Sequence, residues 1–415
     1  MKHSTYSRVI MDNKQVYAGN KGKGVSCDCH ISLELNETGG IQLSIDSKVG
    51  SLYGSKINAL CRDILTHFRI ENATMIVEDF GAYDFVIAAR VEACVRQLIQ
   101  VDKAYLPEII PENIYDSRPD KMRFSRLYIP GNSPKMMING GIYGAHGIIL
   151  DLEDAVAPQK KDEARLLVRN ALRQVNFYGA ERMVRINQLP RGLEDLEEIV
   201  PHHVHLILLP KCESRNQILE VNEKIQAIQR QYGLDSEVYL MPIIESALGV
   251  IKAYEIATAA NNVVAVALGL EDYCADLGVP RTVEGAESLY AKSHVANACR
   301  AAGVQAIDSV FSDFQDEEGL RRTVLHAKSL GFEGIGCIHP NQIMPVHESF
   351  APLDVELSKA KEIVLVFERA EAQGLGVVSL GSKMIDPPVV KRAVQLIDRA
   401  IALGKIPKNW RPEGE

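Results

Sequence analysis

The chain has 415 residues, 46% apolar and 24% charged, with a formal net charge of -8 and a pI near 5.8. That balance describes a soluble globular enzyme with a large core and excludes a disordered chain, and no Lys/Arg run offers the cationic face that nucleic acid binding needs. The length exceeds one ordinary domain and suits a small domain joined to a barrel-sized one.

The opening MKHSTYSRVIMDNKQ lacks the apolar core of a signal peptide, and the most apolar stretch, VVAVALGL at 263–270, is too short to cross a bilayer. The expected location is cytoplasmic, with no membrane partner. Eight dispersed cysteines do not form a disulfide framework and are expected to stay as thiols. Their one cluster, Cys27, Asp28, Cys29 and His30, could supply half a zinc site, but no second Cys/His pair of fitting spacing accompanies it.

In chain order, ISLEL and IQLSI alternate with period 2 around the turn residues NETGG, a hairpin signal. Over SLYGSKINALCRDILTHF the residues Ile57, Leu60, Cys61, Ile64, Leu65 and Phe68 recur at helical steps and predict one buried stripe. A strand TMIVE and a helix near 84–101 complete a small α+β domain spanning 1–104. The segment 105–121 carries Pro107, Pro111 and Pro119 without periodicity and reads as a linker.

From 122 to 349 short apolar runs alternate with helix-forming segments. The candidate strands are RLYIPG, GIILDLED, RMVRIN, HLILLPK, VYLMPIIES, VVAVALGLED, QAIDSVF and EGIGCIHP. Eight βα units point to a parallel (β/α)8 barrel, although periodicity alone also allows an open sheet. Residues 350–415 read as a C-terminal helical extension. The overall fold class is α/β, a barrel preceded by a small α+β domain.

Polar residues collect at the strands' C-terminal ends: Asp151, Glu153 and Asp154, then Arg185 with Asn187, then Lys211, Glu245, and Glu271 with Asp272. In a barrel these ends meet at one mouth, the usual seat of catalysis, although any single strand end also carries polar groups merely because it regains solvent. Glu245 and Asp272 together suit one magnesium ion with positions left open for water and substrate. Such an ion favours cleavage of a C–C bond beside a hydroxyl, with Arg185 placed to stabilise the resulting enolate. Lys211 is a second cation or, in a metal-free aldolase, a Schiff-base nucleophile; the neighbouring carboxylates favour the charged ammonium.

The runs RLYIPGNSPKM, ILDLEDAVAPQKKDEAR, VRIN, LPKCES, PIIESALGV, ALGLEDY, CIHPNQI and GLGVVSLGSKMIDPPV closely resemble the citrate lyase beta-subunit family, within the HpcH/HpaI aldolase group that includes malyl-CoA and citramalyl-CoA lyases. The resemblance implies a magnesium-dependent TIM barrel cleaving a 3-hydroxy acyl thioester, here citryl, to an acetyl thioester and oxaloacetate. It implies Glu245 and Asp272 as metal ligands, Arg185 as a catalytic and substrate contact, Glu245 as a substrate contact too, and Asp151, Glu153 and Asp154 of the DLED motif as substrate-binding residues that also shape the metal's surroundings. Either Arg123 or Arg126 would contact substrate, because the spacing in RFSRL departs from the family's. KMIDPPV resembles the family's lid, which implies an acid/base role for Asp386; the bland reading is a helix N-cap. A homo-oligomer, commonly a trimer among relatives, is also implied.

The first hundred residues resemble the citrate lyase gamma subunit, an acyl carrier protein, through VEDFGAYDFVIAARVEA at 77–93, YAG at 17–19 and the helix after SKVGSLYG. That resemblance implies a phosphoribosyl-dephospho-CoA arm on Ser26, although the stretch AGNKGKGVSCD carries extra residues, and a separate alpha subunit as acyl transferase partner. The competing readings are a lyase acting on free citramalyl-CoA or malyl-CoA, a non-catalytic carrier scaffold, and a phosphoenolpyruvate enzyme, which the lack of a glycine-rich phosphate loop disfavours.

Overall fold

The computed structural model describes residues 15–101 and 103–411. Val16–Gly19 (β1), Cys29–Leu35 (β2), Ile41–Ser47 (β3) and Ala73–Asp79 (β4) form a sheet in the order β1-β2-β4-β3. The hairpin expected between the runs now seen as β2 and β3 does not form. Instead β4 lies between them, antiparallel to β2 and parallel to β3. The helix Gly50–His67 makes the crossover that a parallel pair requires, and its stripe of Ile57, Cys61, Ile64 and Leu65 is buried. Turn residues show that a chain reverses, not which strand it will pair with.

Ser125–Pro130 (β5), Gly147–Asp151 (β6), Glu181–Arg185 (β7), Leu206–Leu209 (β8), Tyr239–Ile244 (β9), Ala265–Leu268 (β10), Gln305–Asp308 (β11) and Gly334–Cys337 (β12) close into a parallel barrel in which β12 pairs with β5. All eight predicted runs are barrel strands, so the (β/α)8 reading holds and the open sheet does not. Ile149, Met183, Leu206, Leu208, Met241 and Ile243 fill the interior with alternate side chains.

By contact density the chain divides into two units. One runs to Gln315 and takes in Ala327–Ile343; the other comprises Asp316–His326 and the residues from Met344. The small sheet domain therefore belongs to the same compact unit as the barrel. Its helix Asp84–Leu98 packs on the barrel helix Lys161–Gln174.

The contact between those two helices is made by charges withdrawn from water. Glu92, fully buried, accepts from Arg169 Nη2 at 2.6 Å and Nη1 at 3.0 Å, and from Arg96 Nε at 2.9 Å. Glu198 accepts from Arg169 and Arg96 as well. Further along, Arg90 donates to both oxygens of Asp28, at 3.1 and 3.0 Å, and lies 3.4 Å from Glu163. Glu163 in turn accepts from the Gly19 N–H at 2.8 Å. Burying charges is far less costly where they are paired and hydrogen-bonded, and these pairs hold the small domain against the barrel.

The proline-containing segment, expected to be a linker, lies against the barrel. The buried Asn113 donates to the carbonyls of Leu172 and Val175, and the Tyr115 hydroxyl to that of Ala180. In the second unit the helix Asp354–Ala372, the hairpin of Val378–Leu380 with Lys383–Ile385, and the helix Pro387–Ala402 share a core of Leu357, Ile363, Phe367, Ile385 and Ile397. Among the described residues, no helix is long and apolar enough to cross a membrane.

Candidate active site

A cavity of about 330 Å³ opens at the C-terminal ends of the barrel strands, and Asp151, Arg185, Glu245, Glu271 and Asp272 line it. Parallel strands end in register, so residues far apart in sequence converge there. Asp151 and Arg185 close β6 and β7, Glu245 follows β9 directly, and Asp272 sits in the first turn of the helix Leu270–Leu277 after β10.

Arg185 is clamped. Its Nε and Nη2 donate to Asp151 at 2.7 and 2.6 Å, and its Nη1 lies 2.9 Å from Glu153. Burial works against its charge, but the Asp151 carboxylate outweighs burial and raises the pKa, so the guanidinium is permanently charged. Tyr128 faces it, with the guanidinium carbon 5.4 Å from the ring centre. Burial raises the Glu153 pKa against the pull of Arg185, and Gln188 donates to the same carboxylate at 3.0 Å. Asp154 is more exposed, 4.0 Å from Arg185.

Glu245 is buried, and its pKa is pushed up to about 7 by burial, opposed by a hydrogen bond from the Lys211 N–H and reinforced by the charge of Asp272. The Lys211 N–H reaches Glu245 Oε2 at 2.8 Å because Lys211 takes a left-handed conformation, φ 47°, which an ordinary side chain adopts only when its surroundings impose it. The Lys211 ammonium donates to Asp272 at 2.9 Å, and that bond raises its pKa. An amine held protonated this way is a poor nucleophile, so the arrangement favours Lys211 as a cation over the Schiff-base alternative.

Glu245 also depends on the absence of a side chain. A Cβ on Gly269 would lie 2.7 Å from Glu245 Oε1 and 2.6 Å from its Cγ. The Gly269→Ala variant is therefore expected to keep its circular dichroism spectrum but lose about 100-fold in kcat/KM, the scale of a misplaced catalytic group. Unchanged kinetics would show that Glu245 tolerates displacement.

Arg123 and Arg126 separate clearly. Arg123 donates to Glu181 at 2.7 and 2.8 Å and to Gln305 at 2.7 Å, and these two begin β7 and β11. It therefore lies at the N-terminal end of the barrel, away from the cavity, and the expectation of a substrate contact there is corrected: its guanidinium is consumed by barrel-closing bonds. Arg126 lines the cavity. Asn187, between Lys161 and Asp195, is likewise structural. Asp386 lies in the second unit, where its carboxylate accepts from the Val389 N–H at 3.2 Å and caps the helix Pro387–Ala402. Ser26 sits half-buried in the turn between β1 and β2. In β2 next to it Cys29 is a buried free thiol, and His30 lies 3.0 Å from Glu78.

Several site residues escaped sequence reasoning. Tyr128 and Gly269 resemble ordinary core residues. Asp308 lines the cavity through a buried pair with Lys292, at 2.8 Å, and Ser309 accepts from the Leu270 N–H at 3.0 Å, fixing the start of the helix that bears Asp272. For Asp308 and Ser309 the available signal was their place at the end of a strand.

A closed barrel with clustered carboxylates and a fixed arginine at its mouth defines the class: a TIM-barrel enzyme with its polar groups gathered at the C-terminal ends of the strands. Residues 125–340 match the family model described as HpcH/HpaI aldolase/citrate lyase, and residues 13–98 match an acyl carrier model described as malonate decarboxylase delta subunit. The citrate lyase subunit beta of Haemophilus influenzae is 41% identical over 283 residues, 68% of this chain and 97% of that protein. The human mitochondrial citramalyl-CoA lyase is 32% identical over 72% of this chain and 93% of its own length. The CitE protein of Mycobacterium tuberculosis, solved with magnesium, acetoacetate and coenzyme A, superposes with a TM-score of 0.56 at 29% identity, covering 67% of this chain and 98% of that one. The chain belongs to the HpcH/HpaI aldolase/citrate lyase family, preceded by an acyl-carrier-like domain. It is a carbon–carbon lyase.

Proposed function

We propose that the chain cleaves a citryl thioester to an acetyl thioester and oxaloacetate with magnesium, the fused domain bearing the acyl arm. The observation that carries this reading is the convergence of Glu245, Asp272 and Arg185 on one cavity, together with similarity to citrate lyase beta subunits. Glu245 and Asp272 fit the metal: they are hard oxygen donors whose mutual repulsion is part of what raises the Glu245 pKa, and a dication relieves that repulsion. Bound there, magnesium would acidify the substrate hydroxyl and polarise the nascent ketone.

In the cleavage the hydroxyl proton leaves, its C–O bond becomes the carbonyl of the 2-oxo acid, and the C–C bonding pair passes into the thioester enolate, which takes up a proton to give the acetyl thioester. Arg185, immobilised by Asp151 and Glu153, holds a positive charge toward that enolate without reorganising. For Asp386 we retain the acid/base role implied by the KMIDPPV resemblance.

For the carrier role, the support is the acyl carrier match and the anchorage of the turn that contains Ser26. Asn20 Nδ2 and Arg90 Nη2 both approach the Asn132 carbonyl at 3.5 Å, and Lys160 Nζ donates to the Gly19 carbonyl at 2.9 Å. Asn132 and Lys160 lie in the loops that follow β5 and β6, so the base of the turn is pinned at the same end of the barrel as the cavity. A phosphoribosyl-dephospho-CoA arm on Ser26 would act at high effective concentration there. The reading also implies a separate acyl transferase subunit, a homo-oligomer and a cytoplasmic setting.

A second reading, cleavage of free citramalyl-CoA or malyl-CoA, is favoured by the 32% identity to the human lyase. Release of 2-oxo acid from citryl-CoA, citramalyl-CoA and malyl-CoA, with magnesium and then chelator, separates the two. Chelator-sensitive oxaloacetate from citryl-CoA is the expected result, pyruvate or glyoxylate release moves the protein to a sister activity, and no cleavage overturns the catalytic reading. Intact-mass measurement of wild type and Ser26→Ala tests the arm.

A further inference from the structure

The cavity contains a cation without an anion. Arg126 is 1% exposed, yet among the described residues it forms no ion pair. Its Nη1 points at the Met241 sulfur, 3.0 Å away, and its Nε has no hydrogen-bond partner. Arg185, the other cationic side chain lining the cavity, is held by Asp151 and Glu153, and Lys211 beside it is held by Asp272. A guanidinium withdrawn from water with no carboxylate partner is unfavourable for the folded protein unless something supplies the negative charge.

Its position indicates what that would be. Arg126 is the second residue of β5, and Tyr128 and Pro130, on the same face of the strand, line the cavity above it toward the mouth. Arg126 therefore forms the floor, one barrel layer or more below the carboxylates at the rim. A ligand whose reacting carbons lie beside Glu245 and Asp272 would reach it only with a further anionic group extending inward.

Resting on the lyase reading above, we propose that Arg126 is the specificity-determining residue that binds the distal carboxylate of a dicarboxylic 2-oxo acid unit, so that the site favours substrates yielding oxaloacetate over those yielding pyruvate. Burial already lowers the Arg126 pKa, so an incoming carboxylate restores a charge state that the apolar surroundings oppose. A planar guanidinium pairs with a carboxylate through two parallel N–H donors, whereas the methyl group of pyruvate offers it nothing and leaves it unpaired.

The test compares wild type with Arg126→Met, which keeps the length of the side chain and removes its charge. Binding of oxaloacetate and of pyruvate to each protein with magnesium is measured by calorimetry, alongside kcat/KM for citryl-CoA and citramalyl-CoA. The expected result is a fall of at least about 100-fold in the oxaloacetate-to-pyruvate affinity ratio and in the corresponding kcat/KM ratio. The variant's thermal midpoint in the absence of ligand should rise, because an uncompensated buried charge is gone. Arg126→Lys, retaining a charge without the fork, should recover only part of the preference. If both acids bind and their ratio is the same in wild type and Arg126→Met, this inference is overturned while the lyase reading stands. If wild type binds neither acid and cleaves neither thioester, the lyase reading fails and this inference fails with it.

Discussion

Glu245→Gln is expected to lower kcat/KM by at least about 1000-fold, equivalent to about 4 kcal/mol of transition-state stabilisation, because it removes one of the two carboxylates assigned to the metal. The fold should survive, since Glu245 makes one hydrogen bond to the backbone and is otherwise poorly accommodated as a buried anion. The same residue predicts a pH dependence. With its pKa raised to about 7, Glu245 is protonated in the folded chain at pH values where an unfolded carboxyl has ionised. The contribution of that proton to folding stability is fully present below the ordinary carboxylate range and is lost as pH rises through about 7. Magnesium competes with the proton, so its affinity should fall roughly tenfold per pH unit below about 7 and level off above it. Titration calorimetry between pH 5.5 and 8.5 reads this directly, and a flat profile would show that Glu245 is not a ligand.

Glu92→Gln should carry a large stability cost. It leaves Arg169, fully buried, facing an amide in place of the carboxylate that accepts two of its hydrogen bonds. Removing one partner of such a pair typically costs about 3–5 kcal/mol. Glu92 also accepts from the Tyr105 N–H at 3.1 Å, so the chain leaving the small domain loses an anchor too. Urea unfolding followed by circular dichroism should show a lower midpoint or a new early transition as the small domain detaches. An unchanged curve would mean that helix packing alone holds the two parts together.

The barrel was legible in the sequence for a physical reason. Strands buried on both faces leave continuous apolar runs such as LILL at 206–209 and AVAL at 265–268, and their polar terminations mark one end of the sheet. The small sheet was less legible, because alternation in ISLEL and IQLSI specifies faces but not neighbours, and the partner of both, β4, arrives a helix later. The docking surface was invisible. Arg90, Glu92, Glu163 and Arg169 are charged residues on amphipathic helices, the usual composition of a solvated face, and only their pairing across more than 70 residues brings them inside. The choice between Arg123 and Arg126 required strand phase: Arg126 shares the inward parity of Tyr128, whereas Arg123 precedes the strand altogether.

The latched small domain has a kinetic corollary. On the proposed carrier role, a thioester held on the turn between β1 and β2 would meet the mouth of the barrel to which its own domain is bolted, so encounter would be a first-order event within one molecule. Cleavage of the carried thioester, as distinct from its reloading by a separate transferase, should then be insensitive to dilution, and a carrier domain added separately in solution should compete poorly with the resident one.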